Sequence, residues 1–431
     1  MITLDNARVV DFQGKFALAD KIRVQVEHLQ IGMAVVELDR PWIDTPFLLQ
    51  GFTISNQSDI RALQEHCKYV YVDPQNSAVK KKPNRKGDIN KPGYFNKLWN
   101  SSREPVVTIP VEKELKSASV IKSKASTMVK QCMDDIVLGN AINEDAIKES
   151  VNDTVESIVR NPDAMMWLTR LQSKDDISSQ HSVNACILAV VFGRYIGLPN
   201  SELEKLAVGA LMHDIGKLQI PTEILNKPDG LSAQEKKIMH QHPNSSRNLL
   251  ISAGNYFTSA VDIAYSHHER IDGSGYPRGL KGHSLTPFAR MVSIIDVYDS
   301  MTTEQVFREE LAPFEALKHL NQQKGSLFDT QLVPLFIKMI GVFPVGSVVE
   351  LSNGEIGIVI TSNRDDNLRP KVLVMLDSSK MPIERRIINL ARDSVDFLGR
   401  PIKIAKTLRK GDYGIDQQQL TREGVEFTVL N

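Results

Sequence analysis

From about Val111 to Ile340, apolar residues recur at three- and four-residue spacings. That period lays an apolar stripe along a helix and lets successive helices share one core. Asn143 and Ser201 stand ahead of periodic runs, where a short side-chain oxygen can accept from the unpaired N–H groups of a first helical turn. Residues 111–342 are therefore expected to form an all-α helical bundle, which makes the chain mainly α. The flanks have a different texture. IRVQVEHL and MAVVEL alternate as strands do, a short helix is expected after Ser58, and YVYVD closes at Asp73, so residues 1–73 predict a small α+β module. After Phe343, the segments GSVVEL, EIGIVI and KVLVML, with an Asn353–Gly354 turn, predict a small β-rich tail over 343–431. Residues 74–110 read as a basic, polar linker with Lys80, Lys81, Lys82, Pro83, Asn84, Arg85, Lys86 and Gly87 in one run. RNA or a membrane surface is open to such a run, but a solvated linker explains it without a partner.

Composition narrows the function classes. At 431 residues the chain is too long for one ordinary core. Its 52 basic and 52 acidic residues balance, which argues against tracking the phosphates of DNA or long RNA. Cys67, Cys132 and Cys186 are odd in number and lack CxxC spacing, so neither a disulfide framework nor a thiolate zinc cage is expected. No stretch reaches the roughly 18 uninterrupted apolar residues of a membrane span. A cytoplasmic protein without a membrane partner is the expectation.

The histidines of the helical stretch carry the chemistry. Asp214 follows His213 directly, His242 lies 28 residues on, His267 and His268 are adjacent, and Asp296 lies 28 residues beyond His268. His181 opens an apolar run 32 residues before His213. One histidine on a helix is more often a hydrogen-bonded core residue than a ligand. Adjacent pairs inside LMHDIGKL, and an aspartate inside SIIDVYD, are harder to dismiss, because each buries polar groups at a cost that a metal would offset. Together the seven groups suffice for two metal ions, and imidazole with carboxylate suits iron, manganese, nickel or zinc.

The segment HDIGKLQIP, followed by HHERIDGSGYPRGLKG, resembles the HD-GYP family, a branch of the HD superfamily of metal-dependent phosphohydrolases. ILNKPDGLS, HQHP, IIDVYDSMTT and GSLFD extend the resemblance from about Ser179 to Phe328. It implies a helical HD-domain fold, a two- or three-metal centre, commonly iron, and hydrolysis of cyclic di-GMP, a bacterial second messenger. By position, His181, His213, Asp214 and Asp296 resemble the set on the first metal. His242, His267 and His268 resemble the set on the second, with Asp214 bridging. Some members hold a third metal through a Glu one turn before the first His; here that residue is Ile177, so the resemblance implies a binuclear centre. The region ahead of the helices, VEHLQIGMAVVELDRPWIDTPF, resembles the uncharacterised domain often found before HD-GYP domains.

Two metals bridged by Asp214 are expected to share a water and lower its pKa enough to give hydroxide at neutral pH. That hydroxide would attack phosphorus in line with a ribose 3′-oxygen and leave a linear dinucleotide. Lys217 falls one turn after His213 if the helix continues, and either reaches toward the phosphoryl oxygens or is a solvated helix-end lysine. The loop Asp272–Pro277, with two glycines and a proline, is either an ordinary turn or a wall of the substrate site. In the second reading Gly275, Tyr276 and Pro277 meet substrate, Tyr276 by stacking on a base or on a partner surface. Glu269 and Asp272 either orient ligand imidazoles or cap the loop.

One position departs from the family. An Arg usually stands nine residues after the last metal-binding Asp, and here that residue is Gln305, with Arg308 three residues later. Gln removes charge and bidentate geometry but keeps hydrogen-bonding capacity. Substrate recognition is affected before catalysis, so 3′,3′-cyclic GMP-AMP stands beside cyclic di-GMP as a substrate. The competing readings are a less specific HD nucleotide phosphohydrolase and a non-hydrolytic sensor of messenger or metal acting through protein contacts. A homodimer or a signalling-protein partner is compatible with any of them.

Overall fold

The computed structural model describes residues 21–40, 52–54, 57–73, 107–171, 177–254, 258–303, 310–363, 368–392, 395–396, 398–408 and 411–415. The basic run Lys80–Gly87 lies outside them. Contacts divide the chain into two compact units, Met1–Asn84 and Arg85–Asn431.

In the first unit, β1 (Ile22–Gln25), β2 (Ala34–Leu38), β3 (Phe52–Thr53) and β4 (Tyr69–Asp73) form an antiparallel sheet in the order β1-β4-β2-β3, with α1 (Gln57–His66) between β3 and β4 in sequence. The two-residue period decides which side is dry. Val35, Leu38, Val70 and Val72 pack with Ile60 and Leu63 of α1. On the opposite side the Arg23 guanidinium lies 3.7 Å from the centroid of the Tyr69 ring.

The second unit is mostly helical: α2 (Val111–Val137), α3 (Glu144–Arg160), α4 (Pro162–Thr169), α5 (Ile177–Tyr195), α6 (Asn200–Met212), α7 (Thr222–Leu225), α8 (Ala233–Met239), α9 (His242–Ala253), α10 (Thr258–Ser266), α11 (Pro287–Thr302), α12 (Pro313–Gln322) and α13 (Leu332–Ile340). Asn143 caps α3 by accepting from the Ala146 N–H at 3.1 Å. Ser201 does not cap α6. Pro199, in extended conformation, starts that helix earlier, and its carbonyl takes the N–H groups of Glu202 and Leu203.

Helix α5 is the axis of the unit. Every residue from Ser179 to Ile196 is buried, because α2, α3, α4, α6 and α11 all pack against it. A helix enclosed on all sides needs apolar residues around its whole circumference, and Ala-Cys-Ile-Leu-Ala-Val-Val-Phe supplies them. Phe192 meets Phe336 of α13 edge to face at 5.3 Å, and Tyr298 of α11 meets the same ring at 5.3 Å. Burial of each such ring is worth about 1.5–3 kcal/mol.

The C-terminal strands β5 (Val348–Leu351), β6 (Ile356–Thr361), β7 (Lys371–Leu376), β8 (Pro382–Asn389) and β9 (Ile404–Thr407) form an antiparallel sheet in the order β8-β7-β6-β5-β9. The Asn353–Gly354 turn joins β5 to β6, with Gly354 at φ +85°. Ser362 donates to Asp163 of α4 at 3.2 Å, fastening the sheet to the helices. Among the described residues no helix is long and apolar enough to cross a membrane. All three cysteines are free and buried.

Candidate metal centre

Five helical segments deliver the polar groups to one buried place. His181 enters from the first turns of α5, His213 terminates α6, His242 opens α9, His267 and His268 follow α10, and Asp296 and Asp299 lie on α11. Helix ends are suited to this because their last carbonyls lack intrahelical donors. The Nδ1 atoms of His213, His242 and His267 lie 2.7, 2.7 and 2.9 Å from the carbonyl oxygens three residues earlier, those of Ala210, Met239 and Ala264. With Nδ1 turned to a carbonyl, each ring points its Nε2 inward, and that nitrogen is the one left for a metal.

Those nitrogens converge on Asp214. Its Oδ1 lies 3.3 Å from His242 Nε2 and 3.5 Å from His267 Nε2; its Oδ2 lies 3.4 Å from His213 Nε2 and 3.6 Å from His181 Nε2. Asp296 Oδ1 stands 3.3 Å from His181 Nε2, and Oδ2 stands 3.7 Å from His268 Nδ1. Two groups result, Asp214 with His242, His267 and His268, and Asp214 with His181, His213 and Asp296. In each the ligand atoms lie within 4.8 Å of one another. Among the described residues, Asp214 Oδ1 and His213 Nε2 are buried without a hydrogen-bond partner. Buried polar atoms are rarely left so, and the donor set fits a divalent cation on each side of the carboxylate.

The protonation pattern follows the same division. Burial pulls His181 down, but hydrogen bonding to Asp296 and Asp299 outweighs it and raises the imidazole to about 10. His213 is likewise pulled down by burial and raised to about 9 by the Asp214 and Asp296 carboxylates. Burial wins at His267, lowered to about 4, and at His268, held well below its ordinary value. Burial opposes ionisation of Asp214, yet the Lys217 and His213 charges hold its carboxyl well below the usual range.

The α-helix does not continue through Lys217. Asp214, at φ −101° and ψ 5°, breaks α6, and a 3-10 turn over Ile215–Gln219 follows. Lys217 reaches the centre by that tighter turn and donates to Asp214 Oδ2. Gly216 is what lets the turn close. A Cβ there would meet His242 O at 2.2 Å and Ser246 N at 2.3 Å, and the Gly216 N–H donates to Ser246 Oγ at 2.8 Å.

The loop Asp272–Pro277 packs back against the His pair. Gly275 lies against backbone: a Cβ would stand 2.4 Å from Arg270 N and 2.5 Å from His268 O. Tyr276 precedes Pro277 through a cis peptide bond, and its ring stacks on His240 at 3.7 Å and on His268 at 4.7 Å. Glu269, buried, accepts from the N–H groups of Arg278 at 2.7 Å and Leu280 at 2.9 Å. Asp272, exposed, accepts from Ser274 N at 2.8 Å. Both carboxylates thus shape the loop. Asp299 is a carboxylate on the outer nitrogen of an inward imidazole: its Oδ2 lies 2.7 Å from His181 Nδ1 while Oδ1 accepts from Asn184 Nδ2 at 3.2 Å. Sequence reasoning passed over Asp299, although it stands three residues after Asp296 in an apolar run, the spacing that keeps two side chains on one helix face. Arg270, also passed over, ties the His pair to α11 by donating to His267 O at 3.2 Å and Ser293 Oγ at 2.7 Å. Gln305 and Arg308 lie outside the described residues.

Comparison with known proteins agrees with this architecture. An HD domain matches residues 166–332, a domain of unknown function, DUF3391, matches 21–147, and a KOW domain associated with HD domains matches 348–410. A cyclic di-GMP phosphodiesterase of Pseudomonas aeruginosa is 31% identical over 380 residues, spanning 86% of this chain and 89% of that protein. A 3′3′-cGAMP-specific phosphodiesterase of Vibrio cholerae is 33% identical over 178 residues, 41% of each chain. Among solved structures, an HDG"Y"P protein of Bdellovibrio bacteriovorus, Bd1817, aligns with a TM-score of 0.44 and 17% identity over 74% of this chain and 99% of that one. The HD domain implies divalent-metal binding, and with a relative matched over nearly its whole length the chain belongs to the HD-GYP family of HD-domain proteins, in the branch that carries an N-terminal DUF3391 domain.

Proposed function

We propose that the chain hydrolyses a 3′,5′-cyclic dinucleotide, cyclic di-GMP or 3′,3′-cyclic GMP-AMP, to the linear dinucleotide. The observation that carries this reading is the two-sided coordination of Asp214, with one carboxylate oxygen toward His242 and His267 and the other toward His181 and His213. The names of the relatives, some for cyclic di-GMP and others for cyclic GMP-AMP, support the substrate class and leave both members open.

In this reading His181, His213, Asp214 and Asp296 hold one divalent metal and His242, His267 and His268, with Asp214, hold a second, iron by preference, with manganese or nickel as substitutes. Bound there, the metals would supply Lewis acidity toward the phosphodiester and toward water at neutral pH. The protein's own groups do the rest. The Ala210, Met239 and Ala264 carbonyls keep three imidazoles in one tautomer. Lys217, its side chain about a third exposed, links Asp214 to the open side, where its ammonium can balance charge gathering on the phosphoryl oxygens. Three reduced, buried cysteines suit a reducing cytoplasm.

The test is product analysis with full-length protein reconstituted anaerobically with iron or manganese. Linear dinucleotide should form, and Asp214→Ala should abolish it. An Asp214→Ala protein as fast as the parent would refute the site, whereas tight binding by the parent without turnover would favour a sensor. Side-by-side turnover of the two messengers decides between them.

A further inference from the structure

A column of rings leads out of the metal centre and ends on an open face. His268 stacks on Tyr276 with ring centroids 4.7 Å apart and planes 26° apart, and Tyr276 stacks on His240 at 3.7 Å and 8°. Tyr276 is half-buried between these two imidazoles, whereas His240 is exposed. Among the described residues the His240 ring has no hydrogen-bond partner. What holds it is backbone: His240 ends α8, its N–H donates to Lys236 O at 2.9 Å, and the chain turns at once into His242. The ring is thereby fixed flat against a phenol, two residues from an inward-pointing imidazole. Lys236, one turn earlier and exposed, lies on the same side of the helix by its four-residue spacing.

An exposed flat ring with a cation one helical turn away is the combination by which proteins hold nucleotides without reading their sequence. It stands two stacking steps from the groups that face the reacting phosphate. The geometry points to His240, and not Tyr276, as the platform on which one purine of the substrate stacks. This rests on the cyclic-dinucleotide reading of the centre and names the residue that meets the base. Tyr276, with an imidazole against it on each stacking contact, props the platform.

Kinetics and binding of full-length, metal-loaded His240→Ala and His240→Trp proteins test the assignment. Loss of one base stack should raise KM for cyclic di-GMP and cyclic GMP-AMP about tenfold in His240→Ala, with a much smaller change in kcat, and the broader face of His240→Trp should restore KM. A His240→Ala protein with the parent KM overturns the platform, as does a His240→Trp protein that stays as weak as the alanine variant. Methyl p-nitrophenyl phosphate, a phosphodiester without a nucleobase, separates this from the functional reading. If the parent cleaves it but binds cyclic dinucleotides without turnover, the proposed function fails and the platform is judged by the ratio of dissociation constants. If the parent neither binds nor cleaves either messenger, both fall.

Discussion

Asp299→Ala is the substitution that most directly examines how the centre is held. Asp299 is 3% exposed; one oxygen lies 2.7 Å from His181 Nδ1 and the other accepts from Asn184 at 3.2 Å. Alanine removes both acceptors, leaving a buried imidazole N–H unpaired, at a cost of about 1–3 kcal/mol. His181 then loses the contact that fixes its ring plane, and the metal it faces should be held about 10- to 100-fold less tightly, equivalent to about 1.4–2.7 kcal/mol. Asp299→Asn keeps an oxygen for the Nδ1–H and should fall between parent and alanine. The assay is competition with a fluorescent chelator, titrating manganese into metal-stripped full-length protein. The loss should be confined to one of two binding phases, because among the described residues Asp299 hydrogen-bonds to His181 and Asn184 and not to His242, His267 or His268. Hydrolysis should return at saturating metal, since Asp299 is a positioning residue. Affinity within twofold of the parent in both phases would refute the reasoning.

Two further outcomes follow from contacts and charge. Gly216→Ala would force the 3-10 turn away from His242 O and Ser246 N, which stand 2.2 and 2.3 Å from the added Cβ; urea unfolding should show a loss of about 1–3 kcal/mol together with weakened metal binding, and an unchanged midpoint would contradict the close approach. In metal-stripped protein, thermal stability should fall on both sides of about pH 6.5. On the acid side His267, lowered to about 4 by burial, contributes stability that is present above the unfolded value and lost as pH falls toward 4. On the alkaline side His181 and His213, raised to about 10 and 9 against burial by their carboxylate neighbours, contribute stability present below about 6.5 and lost as pH rises through those values. A melting temperature flat from pH 5 to pH 10 would rule this out.

The helices, both sheets and the convergence of the seven His and Asp side chains were legible in the sequence because each leaves a pattern that chemistry enforces. Period separates helix from strand, and polar groups inside LMHDIGKL or SIIDVYD need a partner to be buried. What was not legible depended on distance. Asp296 and Asp299 look alike in the sequence; only the placement of α5 beside α11 makes one face Nε2 of His181 and the other Nδ1. Glu269, beside the His pair, was open to an imidazole or a loop role, and the fold of residues 272–281 turns two backbone N–H groups toward it. The path to Lys217 was open in the sequence in the same way: α6 breaks at Asp214, and Gly216, whose missing Cβ lets the 3-10 turn close against His242 O, is its local mark in HDIGKL.

That break explains why two adjacent residues can serve a centre with two sides. On an uninterrupted α-helix consecutive side chains point about 100° apart, and His213 and Asp214 would diverge from a common target. Ending α6 at Met212 lets His213 spend its Nδ1 on the freed carbonyl of Ala210, while Asp214, outside helical geometry, turns its carboxylate back across His213 Nε2. The same device recurs at His267, whose Nδ1 faces Ala264 O at the end of α10, and at His242, which faces Met239 O at the end of α8. Three helix termini thus each exchange an unpaired carbonyl for an oriented imidazole. Extending any of these helices by a turn, through replacement of the residues just beyond it with strong helix formers, would compete for that carbonyl. It should weaken metal binding even where every His and Asp is retained.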